Sequence, residues 1–213
     1  GETLCQAEHI PIHLGSFLDL VPHIMRRYPT QDIRPGDAFI GNDAYEGGGT
    51  HLPDIVIAEP IFIDNQLVAW TVNLAHHADF VDRGHAHIYQ EGIRIPPVRL
   101  YRGGELQKDV ADLILLNCQV PKERLSDLRA QMAANRVGVQ RFQALCGKYG
   151  TATVLSAGEA LMDYAERKMR AAIAAIPDGT WRFEDVFDNE EVPEPLPLAV
   201  EVTVKGDRLA LAF

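Results

Sequence analysis

The run at residues 55–75, IVIAEPIFI-DN-QLVAWTVNLA, decides the fold. Two stretches rich in β-branched residues flank Asp64-Asn65, and Asp and Asn tolerate the tight turn that joins two strands. An antiparallel hairpin is the expected product. Pro60 has no N–H to give a ladder, so the first strand should be an edge, or bulged there. With a two-residue turn, Ile63 faces Gln66, Asp54 faces Ala75 and Pro53 faces His76. A one-residue shift at the turn brings Asp54 directly opposite His76. In either register the two meet at the open end of the hairpin, where facing Cβ atoms lie about 5 Å apart.

The residues suited to chemistry gather at that open end. GGGTHLPD, residues 47–54, leads into the hairpin, and AHHAD, residues 75–79, leads out of it. Each holds a His followed three residues later by an Asp: His51 with Asp54, and His76 with Asp79. Two imidazoles and one or two carboxylates at one point match a divalent transition-metal site of the Mn, Fe or Zn type. Neutral imidazole and ionised carboxylate both donate lone pairs, and an incomplete protein shell leaves room for water or substrate. A single H-x-x-D is more often a hydrogen-bonded pair at the end of a sheet. Two that converge beside a glycine run favour a metal held by His51, Asp54 and His76, with Asp79 a weaker member.

The other candidates carry less. His77 alternates with His76 and should point elsewhere, either behind a ligand or to the surface. His85 and His87 offer donors from the following loop. His9 and His13 flank Pro11 with no partner in sequence, and His23 reads as a helix-surface residue. Asp43 reads equally as a carboxylate at the centre and as an Asx turn. The glycine run lacks the lysine and the strand–loop–helix setting of a phosphate loop, so nucleotide binding is not expected there.

Outward from the hairpin, RPGDAFIGND, residues 34–43, reads as turn, short strand, turn. Ser16 should cap a short helix through Leu18, Leu20 and Ile24 to Tyr28, with Pro22 in its early part. Residues 105–117 carry Leu106, Val110, Leu113 and Ile114 at helical spacing. Pro121 suits a first-turn position of the next helix. Its stripe runs through Leu125, Leu128, Met132, Val139, Phe142, Cys146 and Tyr149, with Gly147 and Gly150 as stop signals. A third helix is expected over about residues 154–176, through Leu161, Ala165, Met169, Ala172 and Ile173. Both stripes read as core. TWRFEDVF, LPLAVEVTV and LALAF read as strands, the last two joined by a turn at Lys205-Gly206-Asp207-Arg208, and EEVPEPLP reads as a loop. The fold class is α+β: a mixed or antiparallel sheet with a hairpin near 55–75, a helical segment near 105–176, and C-terminal strands.

Composition sets the outer limits. Of 213 residues, 46% are hydrophobic and 23% charged, which is ordinary for a globular protein and argues against disorder. The net charge of -10 gives no basic footprint for nucleic acid or an anionic membrane. No apolar run approaches the ~20 residues of a membrane span, and the first residues show no secretory signal. Cys5, Cys118 and Cys146 form no CxxC and read as reduced thiols of a cytoplasmic protein, the latter two buried.

Four stretches, PGDAFIGNDAYEGGGTHLPDI, NLAHHAD, IYQEGIRIPPVRLYRGG and DLRAQMAANRVGVQR, resemble the hydantoinase B / 5-oxoprolinase family. That family also holds the catalytic subunits of acetone and acetophenone carboxylases. The resemblance implies a metal-dependent catalytic component of an ATP-dependent cyclic-amide hydrolase, of the N-methylhydantoinase or 5-oxoprolinase type. It implies a hetero-oligomer with a hydantoinase A-type subunit that binds ATP and Mg and phosphorylates the amide, lactam or ketone. By position, His51, Asp54 and His76 match the metal ligands, and Asp79 matches more weakly. A ketone carboxylase is the alternative, although the HHAD form leans towards the hydrolases; a non-catalytic assembly module is the second. Family members begin with a longer segment holding an acidic NIKER-like motif. They have a longer Gly-rich loop than FVDRGHAHIYQEG and continue past LALAF. The expectation is one hydantoinase B-like catalytic domain over 1–213, truncated at both ends.

Overall fold

The hairpin forms with its turn at Asp64 and Asn65, both at positive φ, 50° and 62°. That pair of conformations suits a tight turn between strands of natural twist. In this computed structural model, which describes residues 2–7, 11–13, 15–16, 19–80, 87–188 and 194–213, the two arms are β2 (Asp54–Ile63) and β3 (Gln66–His76). Ile63 pairs with Gln66 and Phe62 with Leu67, and then the register shifts, so that Ile61 pairs with Ala69. Val68 is the extra residue of this bulge. It supplies the one-residue shift, and Asp54 consequently lies directly opposite His76.

With β1 (Ala38–Gly41), β4 (Val98–Arg102) and β5 (Glu105–Leu106), the hairpin builds a five-stranded antiparallel sheet of order β3-β2-β1-β4-β5. β2 is thus an interior strand, which corrects the edge assignment. Its pairing to β1 runs over Val56, Ile57 and Ala58, and Pro60 lies beyond that stretch, next to the bulge. Proline is tolerated there because no β1 acceptor asks for its N–H.

Both faces of β2 are covered, which is why IVIA reads as an unbroken apolar run. Ile55 and Ile57 pack with Ile40, Leu100, Ile114, Leu128 and Met132. Val56 and Ala58 pack with Phe39, Leu20 and Ile24 on the other side. The first face is covered by α3 (Lys108–Leu116) and α4 (Pro121–Tyr149), the second by α1 (Leu20–Arg27). α1 starts later than Ser16, whose hydroxyl instead donates to the His13 carbonyl at 3.3 Å, and Asp19 is the N-cap residue. α2 (Ile88–Glu91) is a single turn.

α3 also starts later than its apolar spacing suggests. Gly103 and Gly104, at φ 56° and 89°, reverse the chain so that Glu105 and Leu106 pair back onto β4. Gly147 lies within α4, and Gly150, at φ 84°, ends it. His9, Leu18, His85 and residues 190–193 of the EEVPEPLP stretch fall outside the described residues. Among the described residues no helix is long and apolar enough to cross a membrane.

Chain contacts divide into two compact units, Gly1–Val154 and Leu155–Phe213. The second holds most of α5 (Thr151–Ile173) and an antiparallel sheet of β6 (Gly179–Phe187), β7 (Leu196–Lys205) and β8 (Arg208–Ala212). The expected core stripe of α5 is corrected here: Leu161 is 47% and Met169 63% exposed. Tyr149, at the end of the α4 stripe, is also exposed. Helical periodicity records that one face is apolar; it does not record what lies against it.

Candidate metal centre

The loop entering β2 is shaped by close backbone approaches. A Cβ on Gly49 would sit 2.0 Å from the Asp54 Cβ, and one on Gly48 would sit 2.2 Å from the Asn42 carbonyl carbon. Only glycine lets the loop fold onto these neighbours. Asn42, fully buried, ties the loop to the segment after α2. Its amide donates to the Leu52 carbonyl at 2.8 Å and the Ile93 carbonyl at 2.9 Å, and its Oδ1 accepts from the Ile95 N–H at 2.6 Å.

This packing brings three of the sequence candidates together. One ligand-capable atom from each of His51, Asp54 and His76 lies within 4.8 Å of the others. The two imidazole rings are tilted against each other with centroids 4.8 Å apart. Asp54 is fully buried, and its two oxygens have different surroundings. Oδ2 accepts from the Thr50 N–H at 3.0 Å and the Thr50 hydroxyl at 2.8 Å. Oδ1 is buried with no hydrogen-bond partner and stands 3.7 Å from His51 Nε2.

His51 is oriented from behind. Its Nδ1 lies 3.0 Å from Glu91 Oε1, while Glu91 Oε2 accepts from the Leu52 N–H at 3.1 Å. A carboxylate at Nδ1 selects the tautomer with the proton there and leaves the Nε2 lone pair facing Asp54 and His76. The donor set is two imidazoles and a carboxylate with an orphaned, fully buried oxygen. That set fits a divalent cation of the Mn, Fe or Zn type, because an uncompensated buried carboxylate oxygen is costly without a positive or donating partner.

Asp79 stands outside this trio. It is 69% exposed on its side chain, with Oδ1 3.9 Å from His76 Nε2 at the rim. His77 is buried between the sheet and α4, which corrects the surface alternative. Its Nε2 lies 2.9 Å from Gln131 Oε1, and its backbone N–H donates to the Pro53 carbonyl at 2.8 Å. Burial pushes the His77 ring pKa down, with the Gln131 hydrogen bond opposing. Asp43 forms an Asx turn by accepting from the Tyr45 N–H at 2.9 Å, and also accepts from Arg94 Nε at 2.8 Å. His87 is the exposed N-cap residue of α2, and His23 is half-buried on α1. Cys118 is half-buried rather than buried, and burial pushes its thiol pKa up, the wrong direction for a nucleophile.

Three contributors have no signal in the sequence spacing. Thr50 lies inside GGGTHLPD, where its pairing with Asp54 depends on the turn. Glu91 arrives from forty residues on through the Asn42 clamp. His13 arrives from a short 3-10 turn, Pro11–His13, and places Nδ1 3.5 Å from Asp54 Oδ2.

The sequence profile of the hydantoinase B/oxoprolinase family matches residues 1–213. The caprolactamase beta subunit of Pseudomonas jessenii is 34% identical, over 97% of this chain and 36% of its own length. A subunit of the putative D-/L-hydantoinase of Pseudomonas sp. (strain NS671) is 32% identical, over 97% of this chain and 37% of its own length. The crystal structure of ATP-dependent caprolactamase from Pseudomonas jessenii superposes with a TM-score of 0.85 at 32% identity, covering 98% of this chain and 37% of that one. This chain therefore spans a little over a third of the length of these relatives.

Proposed function

The chain belongs to the hydantoinase B/oxoprolinase family, and on that premise we propose that it carries the metal-dependent catalytic site of an ATP-dependent cyclic-amide hydrolase. The observation that supports this reading is the convergence of His51, Asp54 and His76 around a buried carboxylate oxygen that lacks a partner. His51 Nε2, Asp54 Oδ1 and a His76 ring nitrogen would hold the ion. A divalent cation bound there supplies Lewis acidity towards a carbonyl or phosphoryl oxygen, or lowers the pKa of a water.

The chain's own residues prepare that point. Glu91 keeps the His51 proton on Nδ1 and so keeps Nε2 available. Thr50 engages Oδ2 of Asp54 through two donors and so turns Oδ1 inward. His76, 48% exposed on its side chain, forms the open side from which a substrate can approach. An unstrained amide ring is a poor electrophile, so ATP must activate it, and a hydantoinase A-type subunit with ATP and Mg is the partner for that step. The relatives are named as subunits, which agrees with a hetero-oligomer.

The test is metal analysis and turnover on the full-length protein with its partner. His51→Ala and His76→Ala should lose bound metal and ring opening of hydantoins, lactams or oxoproline, while His23→Ala keeps both. Equal metal retention in all three variants would return the centre to a hydrogen-bonded cluster. Turnover of ketones with bicarbonate in place of cyclic amides would make it a carboxylase subunit.

A further inference from the structure

We infer that His13 is a positioning residue of this centre, whose Nδ1–H fixes the Asp54 carboxylate so that the other carboxylate oxygen faces the metal; the inference rests on the metal reading above. Four buried side-chain atoms among the described residues lack a hydrogen-bond partner, and two of them, His13 Nδ1 and Asp54 Oδ1, belong to neighbouring side chains. His13 Nδ1 stands 3.5 Å from Asp54 Oδ2. That is longer than a formed N–H···O bond, and catalytic hydrogen bonds in ligand-free sites are often long and tighten on loading.

His13 does not belong to the tight cluster of His51, Asp54 and His76. It also flanks the oxygen that Thr50 already engages, not the free one. Both facts assign it to holding the ligand rather than to ligating. A third donor on Oδ2 limits rotation of the carboxylate about its Cβ–Cγ bond and leaves Oδ1 for the cation. Ser16 donates to the His13 carbonyl at 3.3 Å. Further on, Gly47 approaches Asp19 so closely that an added Cβ would lie 2.3 Å from the Asp19 carbonyl carbon, which seats the metal loop against the start of α1.

The test uses the full-length protein with its partner and three variants, His13→Ala, His13→Asn and His13→Gln. Zn and Co affinities are measured by competition with a chromophoric chelator, the Co(II) absorption spectrum reports the coordination shell, and Tm reports folding. An Asn amide nitrogen falls near the position of His Nδ1, and a Gln amide nitrogen near Nε2. His13→Ala should weaken metal binding about 10–100-fold, as loss of a residue behind a ligand typically does. His13→Asn should restore most of the affinity with an unchanged Co(II) spectrum, and His13→Gln should not. A His13→Asn variant as weak as His13→Ala, with an altered Co(II) spectrum, would make His13 a direct ligand and overturn the inference. A lowered Tm with unchanged metal affinity in His13→Ala would make it merely structural and overturn it too. A wild-type protein that binds neither metal would overturn the metal reading itself, an outcome distinct from both.

Discussion

Glu91 decides which nitrogen of His51 is available to the centre. Both of its oxygens are engaged, one by His51 Nδ1 at 3.0 Å and one by the Leu52 N–H at 3.1 Å. Glu91→Gln keeps the shape but replaces one acceptor by an NH2 group, so one donor must face another. We expect metal affinity to fall about 10-fold, the lower end for such supporting residues, without loss of fold. A chelator-competition titration checks this, and unchanged affinity would remove Glu91 from the centre. His51, Asp54 and His76 are legible in sequence because both motifs abut the open end of one hairpin, which brings them together in either of the two registers its turn allows. Glu91 is not, because its approach depends on Asn42 joining two distant loops. His13 is not, because nothing local connects a 3-10 turn near the N-terminus to β2.

The elements show where period and turn chemistry stop being enough. The turn at Asp64-Asn65 is readable, but the bulge at Val68 is not, and it is the bulge that sets Asp54 opposite His76. Apolar spacing misplaces the start of α3 because Leu106, four residues before Val110, belongs to the strand that returns from the glycine reversal. In α4, Gln131 and Asn135 are buried although polar, at 6% and 3% exposure. Gln131 donates to the Ile55 carbonyl at 2.8 Å and Asn135 to the Ile57 carbonyl at 2.9 Å. Polar positions in a helix read as its wet face, so this contact with the sheet has no sequence signal. Glu59 of β2 is a related case with a testable consequence. It is 5% exposed, its Oε2 has no hydrogen-bond partner, and burial raises its carboxyl pKa, with Arg136 opposing. A folded pKa above the unfolded one means that ionisation costs the folded state stability. The cost is absent below the ordinary carboxylate range and grows as pH rises through it. Glu59→Gln should therefore be more stable than wild type at neutral pH, by about 1 kcal/mol. That advantage should vanish towards pH ~4, where the unfolded chain also holds the proton. Urea midpoints across pH measure it, and a difference that does not change with pH would refute the assignment.

At the scale of the whole molecule, the C-terminal strands are legible as strands, but their surroundings are not. Trp181, Phe183, Leu198 and Leu211 are 47%, 65%, 55% and 55% exposed, an apolar face of the kind that marks an interaction surface. The glycine loop before β2 is occupied with its own fold, in keeping with the absence of a phosphate-loop pattern in its sequence. The Gly48 N–H donates to the Asp43 carbonyl at 2.8 Å, and the Thr50 N–H donates to Asp54. These donors are turned into the protein, so the loop offers no cradle for the phosphates of ATP, which needs free backbone N–H groups and a lysine. On the proposed reading, phosphoryl transfer would therefore take place on the ATP-binding partner. We expect the full-length protein alone to hydrolyse no ATP and open no lactam or hydantoin ring, and the ATP-binding partner alone to open none. The two together should couple ATP hydrolysis to ring opening, and His51→Ala should abolish ring opening in that mixture while leaving the partner's nucleotide binding intact. ATPase and product assays on each protein and on the mixture measure this. ATP-coupled turnover by the full-length protein alone would refute the two-component reading, and ring opening alone without ATP would make it a simple metal hydrolase.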